Sequence, residues 1–188
     1  GKLKDAEFSF RKAIEINPNF ADAYCNLGNI LIELDQLKEA EVCTRKAIEI
    51  NPNFVIAHYN LGIILREIGK LKEAEVSTRK ATDLNPSFAK AHYNLGNILK
   101  DLDKLQEAEV SLNKAIRLNS NIAEAHYHLG LIHLQRGNQE LSLNYFSKSA
   151  KLLRGKNNKE SYDERFSKVS KAKIYHDIEQ FEYLVSQG

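Results

Sequence analysis

Residues 23–53 read AYCNLGNILIELDQLKEAEVCTRKAIEINPN, and the organisation of the whole chain follows from them. Apolar residues recur at helical spacing twice within this stretch: Ala23, Leu27, Ile30, Leu31 and Leu34, then Leu37, Ala40, Ala47, Ile48 and Ile50. Each series marks one face of an amphipathic helix. Between them lies Asp35-Gln36, where an aspartate tolerates the turn conformation that follows a helix end. At the far end lies Asn51-Pro52. The residue before a proline avoids the helical region, whereas proline itself opens a helix readily. The stretch therefore predicts two helices in a hairpin, with both ends encoded locally.

Moving outward, the same signals return every 34 residues. Asn17-Pro18, Asn51-Pro52 and Asn85-Pro86 keep that interval, and Asn119-Ser120 continues it without the proline. Gly28, Gly62, Gly96 and Gly130 keep it too, as do Leu27, Leu61, Leu95 and Leu129. The first break recurs at Gly69-Lys70, Asp103-Lys104 and Gly137-Asn138. The recurring glycine removes a side chain where two helices cross closely, and the alanines at 40, 74 and 108 let the neighbouring backbone approach. A helix of about 14 residues is marginal alone in water, so stability comes from stacked units burying one another's apolar faces.

A 34-residue unit of this pattern resembles the tetratricopeptide repeat almost throughout. The resemblance implies an all-α, right-handed solenoid of antiparallel helix pairs. Residues 1–156 form the array: 1–20 are the second helix of a truncated repeat, 21–54, 55–88 and 89–122 are full repeats, and 123–156 is a degenerate one. The fourth unit departs from the pattern with Ser142 and Ser149 at small apolar positions and Leu153-Arg154-Gly155 where Asn-Pro belongs. Residues 157–188 read as a polar loop followed by a C-terminal capping helix. The polar stretch is KNNKESYDERFSKVSK, and the helical pattern returns in Ile174, Ile178, Phe181 and Val185. That stripe covers the open end of the array or, alternatively, is a free amphipathic helix for a partner.

The chain has 27 Lys and Arg against 25 Asp and Glu, which lacks the strongly basic balance of a dedicated nucleic-acid binder. It has no run of about 18 apolar residues, and we read it as soluble and cytoplasmic, with no membrane partner. Cys25 and Cys43 sit on the two helices of one hairpin at levels that do not face each other, so no disulfide is expected. His58, His92 and His126 are 34 residues apart on successive helices and lack the i, i+4 spacing of a helical zinc pair, which favours a structural role. No phosphate loop or nucleophile motif is present, and we expect no catalytic site and no cofactor. The sequence starts inside a repeat without methionine, which reads as an engineered or proteolytic boundary. Phe8, Phe10 and Ile14 are then expected to expose apolar surface that recruits a second chain.

In proteins of the family the chain resembles, the first helices of successive repeats line a concave groove that receives an extended peptide or a partner helix. Carried over by position, the inward faces are Asp22, Asn26, Asn29 and Glu33; Ile56, Asn60, Ile63 and Glu67; Lys90, Asn94, Asn97 and Asp101; and Glu124, His128 and Gln135. Asn26, Asn60 and Asn94 form a column whose amides can donate to and accept from a peptide backbone. The other reading of that column is a solvated asparagine common to the repeat. Tyr59, Tyr93 and Tyr127, with Arg66 and Lys100, are of the residue types that anchor interfaces, although the tyrosine rings equally suit gaps between helices. Tyrosine occupies the place of a key lysine of the carboxylate-binding members of the family, and Cys25 does so in the first repeat. Such a clamp is therefore incomplete here, with Lys90 and Asn94 leaving a partial site. The leading expectation is a scaffold that binds a peptide or protein in this groove. The alternatives are the substrate-recruiting arm of a larger enzyme and an RNA-binding array, the latter disfavoured by Glu33, Glu67 and Asp101.

Overall fold

The computed structural model describes residues 1–155, 173, 174, 176–180 and 183, and all regular structure among them is helical. In chain order the helices are α1 (Lys2–Ile16), α2 (Ala21–Glu33), α3 (Leu37–Ile50), α4 (Val55–Glu67), α5 (Leu71–Leu84), α6 (Ala89–Asp101), α7 (Leu105–Leu118), α8 (Ala123–Gln135) and α9 (Gln139–Gly155). The closest packing is within the pairs α2–α3, α4–α5, α6–α7 and α8–α9. Each second helix then leans on the first helix of the next pair.

Both kinds of break form as the local sequence dictates. Asp35 (φ 61°), Gly69 (φ 80°), Asp103 (φ 59°) and Gly137 (φ 76°) are the left-handed residues that end α2, α4, α6 and α8. In the first of these turns Gln36 N–H donates to Leu31 O at 2.8 Å and Asp35 N–H to Ile32 O at 3.0 Å. This doubly bonded arrangement satisfies the last carbonyls of the helix. At the other break, the side chains of Asn17, Asn51, Asn85 and Asn119 accept from the backbone N–H two residues ahead at 3.0–3.2 Å. The asparagine rather than the proline thus holds the turn, which explains why it persists at Asn119-Ser120. Where that asparagine is missing, after α9, the helix runs for 17 residues against 14 in α3, α5 and α7.

The recurring glycines sit where the two helices of a pair cross. A Cβ on Gly28 would meet Thr44 Oγ1 at 2.4 Å, and one on Gly96 would meet Leu112 Cγ at 2.6 Å. The core runs as a ribbon of small and large apolar residues along the stack, with Ala40, Ala74 and Ala108 and Leu31, Leu65 and Leu99 fully buried. Ser142 and Ser149 of the fourth pair are also fully buried, and Ser142 Oγ donates to Gly130 O at 2.9 Å.

The second helices are tied across repeats by ion pairs. Arg11 bonds Glu39 at 2.8 Å, Arg45 bonds Glu73 at 2.7 Å and Arg79 bonds Glu107 at 2.5 Å. Lys70 reaches back to Glu41 at 2.9 Å and Lys104 to Glu75 at 2.7 Å, while Arg136 pairs with Glu109. The 34-residue interval carries each base to the acid of its neighbour.

The C-terminal segment packs on the last pair as the sequence predicts. Ile174 and Ile178 are buried against Ala123, Tyr127, Phe146, Ala150 and Leu153. Phe181 and Val185, and the polar stretch 156–171, lie outside the described residues. The expectation for α1 requires correction. Phe10 and Ile14 pack against the cluster of Leu27, Leu31, Ala40 and Cys43, because they occupy the inner face of α1, and only Phe8 of the three stays open at 64 % exposure. Cys25 and Cys43 are buried free thiols, and burial, with the Asp22 carboxylate adding to it, pushes Cys25 up to about 11.

Candidate functional site

The first helices α2, α4, α6 and α8 repeat the same helical register, so residues 34 apart stand in rows across the stack. The rows are not equivalent in exposure. On α2, Asp22, Asn26, Asn29 and Glu33 are all exposed. On α4, Ile56 is 44 % exposed and Glu67 is exposed, while Tyr59, Ile63 and Arg66 are half-buried. On α6, Asn94 and Asn97 are buried, with Tyr93, Lys90 and Lys100 half-buried. On α8, Tyr127 is buried and His128 half-buried. The row of Glu33, Glu67, Asp101 and Gln135 is exposed on all four helices, whereas the rows of Asn26 and Asn29 are exposed on α2 and half-buried or buried on α4, α6 and α8.

The expected column of three equivalent asparagines is therefore corrected. Asn26 is open, but Asn60 and Asn94 face the seams between neighbouring helices. Asn60 Nδ2 donates to Cys25 Sγ at 3.7 Å across the first seam, and Asn94 Nδ2 donates to Thr78 Oγ1 at 3.5 Å. The physical reason is that a helix flanked on both sides by others buries a wider arc than its own apolar stripe, and this asparagine lies within it.

The remaining expected residues divide between packing and charge. The Tyr59 ring lies 5.0 Å from the Phe88 ring, centroid to centroid, which fills the gap to the next repeat. Burial pushes the Tyr93 hydroxyl up to about 12, with the Asn97 side chain acting in the other direction. The His128 ring lies 6.0 Å from Tyr93 and 5.4 Å from Tyr127. Tyr127 donates its hydroxyl proton to Asp177 of the C-terminal segment, so this tyrosine belongs to the end cap and not to an open groove. Arg66 Nε donates to Asp101 Oδ2 at 2.7 Å, and Lys100 Nζ stands 3.6 Å from the other oxygen of the same carboxylate. These bring α4 and α6 together at one edge of the face.

His128 is held well below 6.5 by burial first, then by Lys100, Arg66 and Lys173, so it is a neutral ring at pH 7. Two other histidines fasten turns. His58 and His92 pair through Nε2 with the carbonyls of Pro52 and Pro86 at 2.9 and 3.0 Å. Among the described residues no three His, Cys, Asp or Glu side chains gather as a metal site, and no helix is long and apolar enough to cross a membrane.

Of the inward-face residues named from the sequence, Asp22, Glu33, Ile56 and Glu67 are not among the expected partner contacts, and all four are exposed. The signal available was the row Glu33, Glu67 and Asp101, in which a base precedes only the last two, at Arg66 and Lys100.

Tetratricopeptide-repeat family models match residues 21–54 and 89–122, 43–76, 1–35 and 64–103, and 123–152. Among solved structures the fold is similar to MamA 41-end from Desulfovibrio magneticus RS-1, with a TM-score of 0.76 and 22 % identity over 84 % of this chain and 89 % of that one. It is also similar to YrrB, described as a TPR protein with an unusual peptide-binding site, with a TM-score of 0.70 and 25 % identity over 82 % and 79 % of the two chains. A thermophilic TPR protein of Thermus thermophilus superimposes with a TM-score of 0.66 at 23 % identity over 82 % and 85 %. No curated protein matches the sequence. With its 34-residue helical hairpins, its glycine crossings and family matches that run from residue 1 to 152, this chain belongs to the tetratricopeptide-repeat family.

Proposed function

We propose that the chain is a protein-interaction scaffold whose inward face receives a segment of a partner protein, entering over α2 and α4. The observation that carries this reading is the contrast within that face. Asn26, Asn29 and Ile56 are exposed, whereas at the equivalent positions Asn94 and Asn97 of α6 are buried and Lys90, Glu124, His128 and Leu131 are half-buried. A peptide-binding site is part of the description of YrrB, and that likeness supports the same use of the fold here. Tyr59, Arg66, Lys90 and Lys100 border the open part. Tyr93, Asn94, Asn97, Tyr127 and His128 stiffen the closed part beneath and beside it.

Selection from a random-peptide display tests this. Peptides enriched on the wild-type chain are expected to lose binding to the folded double variant Asn26→Arg/Asn29→Arg, whose longer side chains fill the opening. Equal binding to that variant, or no enrichment at all, rejects the assignment.

A second contact, between two copies through α1, is favoured by Phe8 at 64 % and Ile16 at 84 % exposure. Light scattering showing a concentration-independent monomer removes it.

A further inference from the structure

One row of apolar side chains faces away from the core. Val42, Val76 and Val110 hold the same place in α3, α5 and α7, 34 residues apart, and are 68 %, 70 % and 66 % exposed. Each stands two residues beyond a fully buried alanine, Ala40, Ala74 or Ala108, and so points to the opposite side of its helix. Phe8 of α1 is in the same register at 64 % exposure, and Asn144 of α9 ends the row. A single exposed valine is ordinary. Three in register on neighbouring helices draw a line across the outside of the stack.

The charges around that line are sorted by sign. Between the valines run the cross-repeat pairs Arg45–Glu73 and Arg79–Glu107, in which base and acid cancel. Glu41 and Glu75 are met by Lys70 and Lys104 from the turns as well as by Arg45 and Arg79. The lysines four residues before and after each valine are left over. Lys38 and Lys72 stand on one margin, Lys80 and Lys114 on the other, and none of the four makes an ion pair among the described residues; nor does the exposed Arg117. Lys46 is the exception, bonded to Glu49 at 2.8 Å, and Gln106 takes the lysine's place on α7. Of the acids of α3, α5 and α7, Asp83 alone has no base among the described residues, because the other seven are all paired. The outcome is a cationic surplus beside the valines, on helices whose own acids and bases are equal in number.

We propose that this outer line is a second docking surface, separate from the inward face, for an acidic protein segment. Aliphatic side chains of the partner cover Val42, Val76 and Val110, and its Asp or Glu side chains meet the lysines on the two margins. Valine is shorter than the lysines and the Arg–Glu bridges around it. A flat bilayer would therefore meet the charged heads first, whereas a single polypeptide segment fits between them. The spacing suits an extended partner. Adjacent helices lie roughly 8 to 10 Å apart, and a polyproline II segment turns once in three residues with a rise of roughly 3.1 Å each. An aliphatic residue at every third position thus meets successive valines, and the two residues between them point one to each margin. Complementary charge of this kind sets partner choice and encounter rate more than final affinity, and the exposure of the lysines makes it sensitive to salt.

Labelled peptides of repeated Leu-Glu-Glu, Leu-Lys-Lys and Ser-Glu-Glu, followed by fluorescence anisotropy, decide the matter. The Leu-Glu-Glu peptide is expected to bind about 10-fold more tightly than either of the others, because it alone supplies both aliphatic and acidic groups. Val42→Ser/Val76→Ser alters only exposed side chains and is expected to remove the advantage over Ser-Glu-Glu. Lys72→Gln/Lys80→Gln is expected to weaken Leu-Glu-Glu binding and flatten its salt dependence. Thermal unfolding checks that both variants are folded. Equal binding of the three peptides, binding of none, or Leu-Glu-Glu binding unchanged in either variant overturns the proposal. Loss of binding in Asn26→Arg/Asn29→Arg with none in Val42→Ser/Val76→Ser also overturns it, by placing the peptide on the inward face. Binding of vesicles containing phosphatidylserine through the same valines, with no peptide bound, overturns it in favour of a lipid surface.

Discussion

Thr78 Oγ1 stands 2.0 Å from the point that a Cβ on Gly62 would occupy, with Asn94 Nδ2 of the next repeat 3.4 Å from the same point. One glycine therefore governs the crossing of α4 on α5 and the seam to α6. Gly62→Ala is expected to destabilise the chain by about 1 to 3 kcal/mol through overpacking, measured by urea unfolding. Thr78→Ala removes the obstructing oxygen, so the double variant is expected to recover part of that loss. A double variant whose cost is the sum of the two singles would show that the crossing does not limit packing here.

Glu75 receives Lys104 at 2.7 Å and Arg79 at 2.9 Å. The Lys104 ammonium holds its carboxyl below 4.5, outweighing the burial that pushes it up, and Arg79 adds to the lowering. A carboxylate lowered by folding contributes stability that is present above the unfolded value of 4.5 and is lost as pH falls through the folded one. Stability of the wild type is thus expected to drop more steeply between pH 5 and 3 than that of Glu75→Gln. At pH 7 the variant is expected to lose about 1 kcal/mol, the upper range for exposed pairs, with a smaller loss in high salt.

His128 acts with the same sign. Its folded value lies well below 6.5, so the unfolded chain binds the proton first as pH falls below 6.5. Its contribution is complete above 6.5 and declines on acidification towards the folded value. His128→Gln is expected to be less sensitive than wild type to a change from pH 7.5 to 5.5 in thermal unfolding. Parallel pH profiles would mean that the ring is freely hydrated.

Ile178 is 2 % exposed and rests on the last pair. Ile178→Ala is expected to cost about 2 to 5 kcal/mol. Contacts in a stack of repeats are between neighbours, so the loss should remain local. Hydrogen exchange is expected to accelerate in α8 and α9 and to change little in α2 and α3. Uniform acceleration along the chain would contradict a neighbour-only stack.

The sequence determined the helical hairpins, their register and their ends, because those depend on contacts between residues a few positions apart: Asp35 and Gly69 in the turns, Asn51 and Asn85 at the other breaks, Gly62 at the crossing. The end cap was legible as well, in the spacing of Ile174 and Ile178. Only the tertiary structure decided which of four equivalent inward faces is open. Asn26, Asn60 and Asn94 are the same residue at the same place in their helices, yet Asn26 is exposed and the other two are 5 % and 7 % exposed. Asn60 reaches Cys25 of α2 and Asn94 reaches Thr78 of α5, long-range relations that no local pattern records. The same holds for charge: Asp101 and Glu67 occupy one row, but Arg66 reaches Asp101 at 2.7 Å and leaves Glu67 unpaired among the described residues, because the stack turns a base of one repeat towards the acid of the next.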